Sequence, residues 1–465
     1  MLWAVVCLGA PLWGQYKSLN PEIVKITEEV DAKKIEAILK RLEAFGTRHV
    51  LSSQDDPERG IGAARKWIFK EFQSYSPRLE VRFDSYKVKK QDRIAREMDL
   101  YNVVAVLKGK VRPDEQILIT GHYDSLVINR RPGAQSGQGG GFAPGEAPAA
   151  PPDIDYQKQD APGVTDDGSG TAVVMELARV MSRHTFDKTL VFVAFAGEEV
   201  GLVGSTLYAA NAKKNGDKIE AVLNNDIVGS ELSGNGRIDN GRVNVFSDEP
   251  SDSESRAVAR YIEEAGNRYV PGFKVDLIFR ADRLGRGGDH TPFHHEGFGA
   301  VRLSTPAENY AHQHTVTDAF ANTSVPYIVR VARVNAAASA SLALAPMAPA
   351  VTEILERNGR KLPPSLMLTR GKSRYDAQVR FQQTPEEDLL GYAIVMRSTL
   401  APRWEREVFV GKAKDVTLPD VSIDEWTFGV KAIDKDGNES LVTSFVPTPR
   451  PRRVIQTESP TGTSQ

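Results

Sequence analysis

The sequence predicts an α/β domain, with a mixed, mostly parallel sheet flanked by helices, followed by a small all-β sandwich. Three observations carry this. From Asn102 to Ala345, strand-like and helical runs alternate. Within them, Val191 to Ala196 is continuously apolar, mostly β-branched or aromatic, as expected of a strand covered on both faces. Past Leu362-Pro363-Pro364, the pattern changes to short alternating runs separated by turn signals.

Composition narrows the class. Of 465 residues, 40% are hydrophobic and 26% charged, ordinary for a globular chain. A net charge of -2 does not point to nucleic acid or an anionic membrane surface as partner. Cys7 is the single cysteine, so no intrachain disulfide can form. Met1 to Gly14 is apolar and uncharged, too short to span a bilayer, and reads as the apolar region of a secretory signal. The expected location is therefore secreted or periplasmic, with no membrane span.

In chain order, Asn20-Pro21 opens a helical segment whose apolar residues, from Ile23 to Leu42, recur at helical spacing until Gly46. A helix over 61–72 and a strand over 79–88, bent near Ser85, follow. Val103–Leu107, Gln116–Thr120, the Val191 run, Val222-Leu223 and Phe298–Leu303 read as strands. Helices are expected over 168–181 and 326–344. Residues 129–160, rich in Gly, Pro, Ala and Gln, are either a functional rim loop or a disordered insert, and composition favours the insert. Beyond Pro364, strands are expected at 365–369, 377–381, 391–396, 407–410 and 426–432, with a hairpin turn at Asp434-Lys435-Asp436-Gly437.

The chemistry-bearing motifs lie at predicted strand ends, where open α/β sheets collect ligands. Gly197-Glu198-Glu199-Val200-Gly201 follows the Val191 run. Two adjacent glutamates either cap the next helix in solvent or serve a metal ion, one binding it and the other moving protons. Gly121-His122-Tyr123-Asp124-Ser125, Thr165-Asp166-Asp167-Gly168-Ser169-Gly170, Asn225-Asp226, Gly288-Asp289-His290 and His312-Gln313-His314-Thr315 occupy similar positions. Each alone has a plainer reading, a surface histidine or a helix cap. Together they bring His, Asp and Glu to one sheet edge.

These motifs, from Asn102 to Ala345, resemble the co-catalytic di-zinc exopeptidases: secreted bacterial leucyl aminopeptidases, related carboxypeptidases and glutaminyl cyclases. The resemblance implies that His122 and Asp226 hold one zinc, that Glu199 and His314 hold the other, and that Asp166 bridges both. It implies Glu198 as general base acting on a metal-bridging hydroxide, and Asp124 as the carboxylate behind the first histidine. It implies a cis Asp166–Asp167 peptide and peptide substrates. Three carboxylates and two neutral imidazoles carry a charge of -3 against +4 for two zinc ions, and one hydroxide brings neutrality. An all-O/N donor set suits hydrolytic zinc. His312 rivals His314, which is preferred because Thr315 and Asp318 follow it as in the family. Asp289 could hydrogen-bond the groups around Glu198, and Glu308 and Tyr310 could line a substrate pocket. His49, His184, His294 and His295 read as structural or exposed.

The expected organisation is a signal segment at 1–14, a peptidase domain at 15–350, a β-sandwich at 360–447 and a disordered tail at 448–465. The β region resembles a fibronectin type III module through Gly391–Arg397, Trp404 and Trp426–Asp434. It suits contact with a surface or polymer, or a passive spacer. The expected activity is that of a zinc aminopeptidase with two Zn2+ per chain; a glutaminyl cyclase or a non-enzymatic receptor-like member are the alternatives.

Overall fold

The structure is a computed structural model that describes residues 19–91, 93–128, 155–357, 360–361 and 364–446. The expected signal segment, residues 129–154 of the expected insert and the C-terminal tail lie outside the described residues.

In chain order the elements are α1 (Pro21–Glu28), α2 (Ala32–Ala44), α3 (Ile61–Tyr75), β1 (Leu79–Val88), β2 (Met98–Leu107), β3 (Arg112–His122), α4 (Ser169–Met181) and β4 (Lys188–Phe195). Then follow α5 (Val203–Asn215), β5 (Lys218–Asn225), β6 (Arg242–Ser247), α6 (Glu254–Tyr269), β7 (Lys274–Ile278), α7 (Thr291–His295), β8 (Ala300–Ser304) and α8 (Val325–Leu344). They build one eight-stranded sheet in the order β1-β2-β4-β3-β5-β8-β6-β7. The centre, β4-β3-β5-β8, is parallel. Antiparallel pairs flank it at β2/β4 and at β8/β6.

Both faces of the sheet are covered, which is why β4 is continuously apolar from Leu190 to Phe195. In β4, Leu190, Phe192 and Ala194 enter the core that includes α4 and α8. Val191, Val193 and Phe195 enter the opposite core with Tyr208 and Ala209 of α5. Successive side chains of a strand point to opposite faces, so each layer takes every second residue.

Two expectations need correction. The single helix expected from Asn20 to Gly46 is two, because Asp31 accepts a hydrogen bond from Lys33 N and starts α2 afresh. Its own amide is taken by the buried Glu176 at 2.7 Å. The bend expected near Ser85 is absent: β1 pairs with β2 residue for residue from Leu79 to Val88.

The C-terminal region forms a three-stranded antiparallel sheet (Leu368–Arg370, Ala377–Arg380, Asp415–Leu418) and a four-stranded one (Leu389–Ser398, Arg406–Gly411, Trp426–Asp434, Thr443–Ser444). Val379, Phe381 and Val416 share a core with Tyr392, Ile394, Phe428 and Val430, so the two sheets pack face to face. The expected turn at Asp434–Gly437 is present, with Gly437 N bonded to Asp434 O.

This β domain is docked on the α/β domain through polar contacts. Lys431 is buried, with Glu407 at 3.2 Å and Glu264 of α6 at 3.9 Å, and it also pairs with Glu439. Arg268 of α6 reaches Glu439 at 2.6 Å. Asn20, the cap of α1, donates to Asn438 at 3.0 Å. Arg397 pairs with Asp252 at 2.5 Å, and Arg403 with Glu263 at 2.6 Å.

Candidate active site

The carboxyl ends of β3, β4 and β5 and the segment after β8 converge on one cluster. His122 ends β3, Glu198 and Glu199 follow β4, Asp226 follows β5, and His314 lies ten residues beyond the end of β8. Asp166 lies in the turn that leads into α4. Gly170 lets that helix approach β5: a Cβ there would meet Asn225 O at 2.1 Å.

Asp166 is at the centre. Its Oδ1 lies 3.3 Å from His122 Nε2, and its Oδ2 lies 3.2 Å from His314 Nε2. Glu199 Oε2 is 3.1 Å from the same His314 nitrogen. On the other side, Asp226 Oδ1 and Glu198 Oε2 are each 4.0 Å from His122 Nε2. Ligand atoms of His122, Glu198 and Asp226 form one compact group, and those of His122, Asp166 and Glu199 another. The paired glutamates thus fall into different groups, Glu198 with Asp226 and Glu199 with Asp166. His312 stays outside, half-buried, with its Nδ1 on Thr317 Oγ1 at 2.8 Å.

Asp124 links the pieces. Its carboxylate accepts from Glu198 N at 3.3 Å and Glu199 N at 3.2 Å. His122 Nδ1 sits 3.2 Å from the Asp124 backbone oxygen and 3.5 Å from its Oδ1. Asp124 is therefore a positioning residue. Asp167, across the cis Asp166–Asp167 peptide, accepts from His122 N, Gly170 N and Ile227 N at 2.9–3.2 Å. Leu202, Ile227 and His314, all beside the cluster, have positive φ of 55–59°. Such backbone is uncommon in non-glycine residues and concentrates at functional sites.

The electrostatics call for cations. Burial drives the Glu198 carboxyl well above its usual range, and the neighbouring Asp226 and Glu199 add to this against His122. Burial alone would lower His122, yet Glu198, Asp124 and Asp166 hold it well above the ordinary histidine value. His314 is likewise held up by Glu199 and Asp166 against burial. His122 Nε2 and Glu199 Oε1 are buried without a hydrogen-bond partner among the described residues. Buried polar groups are rarely left so. A metal-binding role accounts for both atoms, and the O/N donor set fits zinc.

Several contacts were not legible in the motifs. Arg302 of β8 is fully buried, with Nη2 at 2.9 Å from Asp226 Oδ1 and Nη1 at 3.2 Å from Asp282. Gln313 donates to Asp166 Oδ2 at 2.7 Å. Asp318 accepts from Thr165 N and Asp166 N at 2.9 and 3.0 Å. The expected hydrogen bond from Asp289 to the groups around Glu198 is not seen among the described residues: Asp289 is buried, its carboxyl is pushed up to about 7 by burial, and neither carboxylate oxygen has a hydrogen-bond partner. Glu308 does line a pocket beside Asp166 with Ile227 and Asn309, and it is held by Arg283 and Arg286 at 2.8 and 2.9 Å. Tyr310 is exposed. His49 is buried and stacked on Tyr156, and His184 sits between Glu22 and Glu29. His294 bonds Ala300 O.

Comparison with known proteins points to zinc-dependent peptidases. A probable zinc metalloprotease of Leptosphaeria maculans is 33% identical over 450 residues, covering 90% of this chain and 95% of its own. One of Pyricularia oryzae is 35% identical over 454 residues, covering 90% and 83%. The crystal structure of the Legionella pneumophila LapA aminopeptidase matches with a TM-score of 0.51 at 20% identity, over 70% of this chain and 75% of that one. An aminopeptidase from Aneurinibacillus sp. strain AM-1 matches with a TM-score of 0.50 at 18% identity, over 69% and 96%. These two share the fold. A sequence model of peptidase family M28 matches residues 102–339, the span that carries His122, Asp166, Glu198, Glu199, Asp226 and His314, and the chain belongs to that family of zinc-dependent peptidases.

Proposed function

We propose that this chain is a secreted aminopeptidase that uses two zinc ions, with Glu198 as its general base. The observation that carries the reading is Asp166, whose two carboxylate oxygens face two different histidines, His122 and His314. His122 and Asp226 would hold one ion, Glu199 and His314 the other, with Asp166 shared. When bound, the ions acidify water and polarise the scissile carbonyl.

The chain's own residues supply the rest. Glu198 needs no place in the five-residue ligand set, so its carboxylate is free to take a proton from water and return it to the leaving amine. With no ion bound, burial, and then Asp226 and Glu199, hold its carboxyl well above the usual range. Asp124 holds the Glu198 and Glu199 amides and so sets how the two side chains diverge. Asp166 and Glu308 line the neighbouring pocket, where Arg283 and Arg286 already pair with the Glu308 carboxylate. Secretion rests on the apolar Met1–Gly14 stretch.

Elemental analysis, combined with a panel of aminoacyl-anilides, tests the reading. Two zinc ions per chain are expected; one would favour a cyclase. Glu198→Gln should lower kcat by about 10²–10⁴-fold with metal content unchanged. Because Glu198 Oε2 is as close to His122 Nε2 as Asp226 is, at 4.0 Å, loss of an ion in this variant would instead make Glu198 a ligand.

A further inference from the structure

Among buried groups that this mechanism does not use, Arg48 stands out. It follows α2 and precedes the span matched by the family model. Its side chain is fully buried, and its hydrogen bonds go to main-chain oxygens. Nε donates to Tyr123 O at 2.7 Å, and Nη2 to Gly163 O at 2.8 Å. Nη1 donates to Pro162 O at 2.6 Å and to Leu42 O at 3.0 Å. The Arg48 amide adds a bond to Ser125 Oγ at 3.0 Å, and that hydroxyl donates to Ala161 O at 2.7 Å.

We propose that Arg48 is a positioning residue of the metal centre, tying the segment after β3, which carries His122 and Asp124, to the segment that delivers Asp166. Tyr123 lies between His122 and Asp124. Pro162 and Gly163 lie just before Asp166. The guanidinium holds both segments by their carbonyls, while Asp318 holds the Thr165 and Asp166 amides. The Asp166 turn is thus gripped through oxygens from one side and through N–H groups from the other. A planar guanidinium with five N–H donors can meet several carbonyls at fixed angles, and lysine cannot. Burial lowers its pKa to about 10, with Asp318, Asp124, Asp167 and Glu199 opposing, so it stays charged at neutral pH. It then also acts as a fixed cation behind the carboxylate cluster.

The proposal rests on the zinc reading of the site, and the experiment separates the two. Full-length protein, Arg48→Lys and Arg48→Met are stripped of metal, and amide hydrogen exchange is followed in peptides covering 122–128, 161–168 and α8. Zinc affinity is then measured by competition with a chromophoric chelator, and kcat and KM in excess zinc. In Arg48→Lys, exchange should accelerate in 122–128 and 161–168 but not in α8. Zinc affinity should fall about 10–100-fold, the usual effect of losing a group that orients ligands. Excess zinc should restore kcat more than KM changes. Arg48→Met should do the same more strongly; if it does not fold, Arg48→Lys alone decides. Wild-type exchange and affinity in Arg48→Lys, or acceleration spread equally over α8, would overturn the proposal. A wild-type protein that binds no zinc would end the metal reading, and the exchange comparison would still decide whether Arg48 clamps the two segments.

Discussion

Replacing Lys431 with Met tests how the β domain is held. Lys431 is buried among Glu439, Glu407 and the half-exposed Glu264, and Arg268 shares Glu439. Burial pushes Glu439 up, but Lys431 and Arg268 outweigh it and bring its pKa from 4.5 to about 2. At about 1.4 kcal/mol per pKa unit, that corresponds to about 3 kcal/mol from ionised Glu439 in its folded surroundings. Removing the lysine leaves buried carboxylates short of a partner, which typically costs about 3–5 kcal/mol. Arg268 remains, so a loss of about 3 kcal/mol is expected. Denaturant unfolding followed by tryptophan fluorescence measures it, with Trp404 and Trp426 reporting on the β domain. The Lys431→Met/Glu439→Gln double variant should be less destabilised than Lys431→Met, since it removes the stranded charge. The pH dependence has a definite sign. Glu439 is depressed in the folded state, so its contribution is present above about 4.5 and lost as the pH falls through about 2. Glu439→Gln should flatten that window. A Lys431→Met variant within about 1 kcal/mol of wild type would refute the argument that this buried cation holds the interface.

Two further outcomes follow from the same interfaces. Truncation after Pro349 should expose α6 around Arg268 and leave Asn20 without Asn438, so the truncated chain should melt lower and aggregate more than full-length protein on heating; equal melting and full anilidase activity would make the β domain a spacer. Arg302→Met strands Asp226 and Asp282, both buried, and should cost about 3–5 kcal/mol in chelated protein by denaturant unfolding.

Much of the site was legible because each proposed ligand follows a strand-like run or opens a helix, and the parallel centre of the sheet aligns the carboxyl ends of β3, β4, β5 and β8. The order of residues along the chain was therefore enough to bring His122, Asp166-Asp167, Glu198-Glu199, Asp226 and the His312/His314 pair to one sheet edge, and the resemblance to the di-zinc exopeptidases singled out His122, Asp166, Glu199, Asp226 and His314 among them. The two-sided burial of β4 could also be read, because a strand covered on both faces has no polar alternation to show. The Asp31 cap that splits α1 from α2 carried a local signal, an Asp two residues before Lys33, hidden by the continuing apolar period.

What only the tertiary structure decided are the contacts that no local pattern encodes. Arg48 meets Tyr123 and Gly163 across 75 and 115 residues of chain, and its partners are backbone carbonyls, which leave no trace in residue type. Arg302 sits in a strand that reads as apolar, and its charge is explained only once Asp226 and Asp282 are brought against it. Lys431 likewise alternates correctly within its strand, but its face becomes buried only when α6 of the other domain supplies Glu264 and Arg268. A buried charge is tolerable only with its partners in place, so the sequence determines where such a residue stands along the chain, and the packed fold decides what neutralises it.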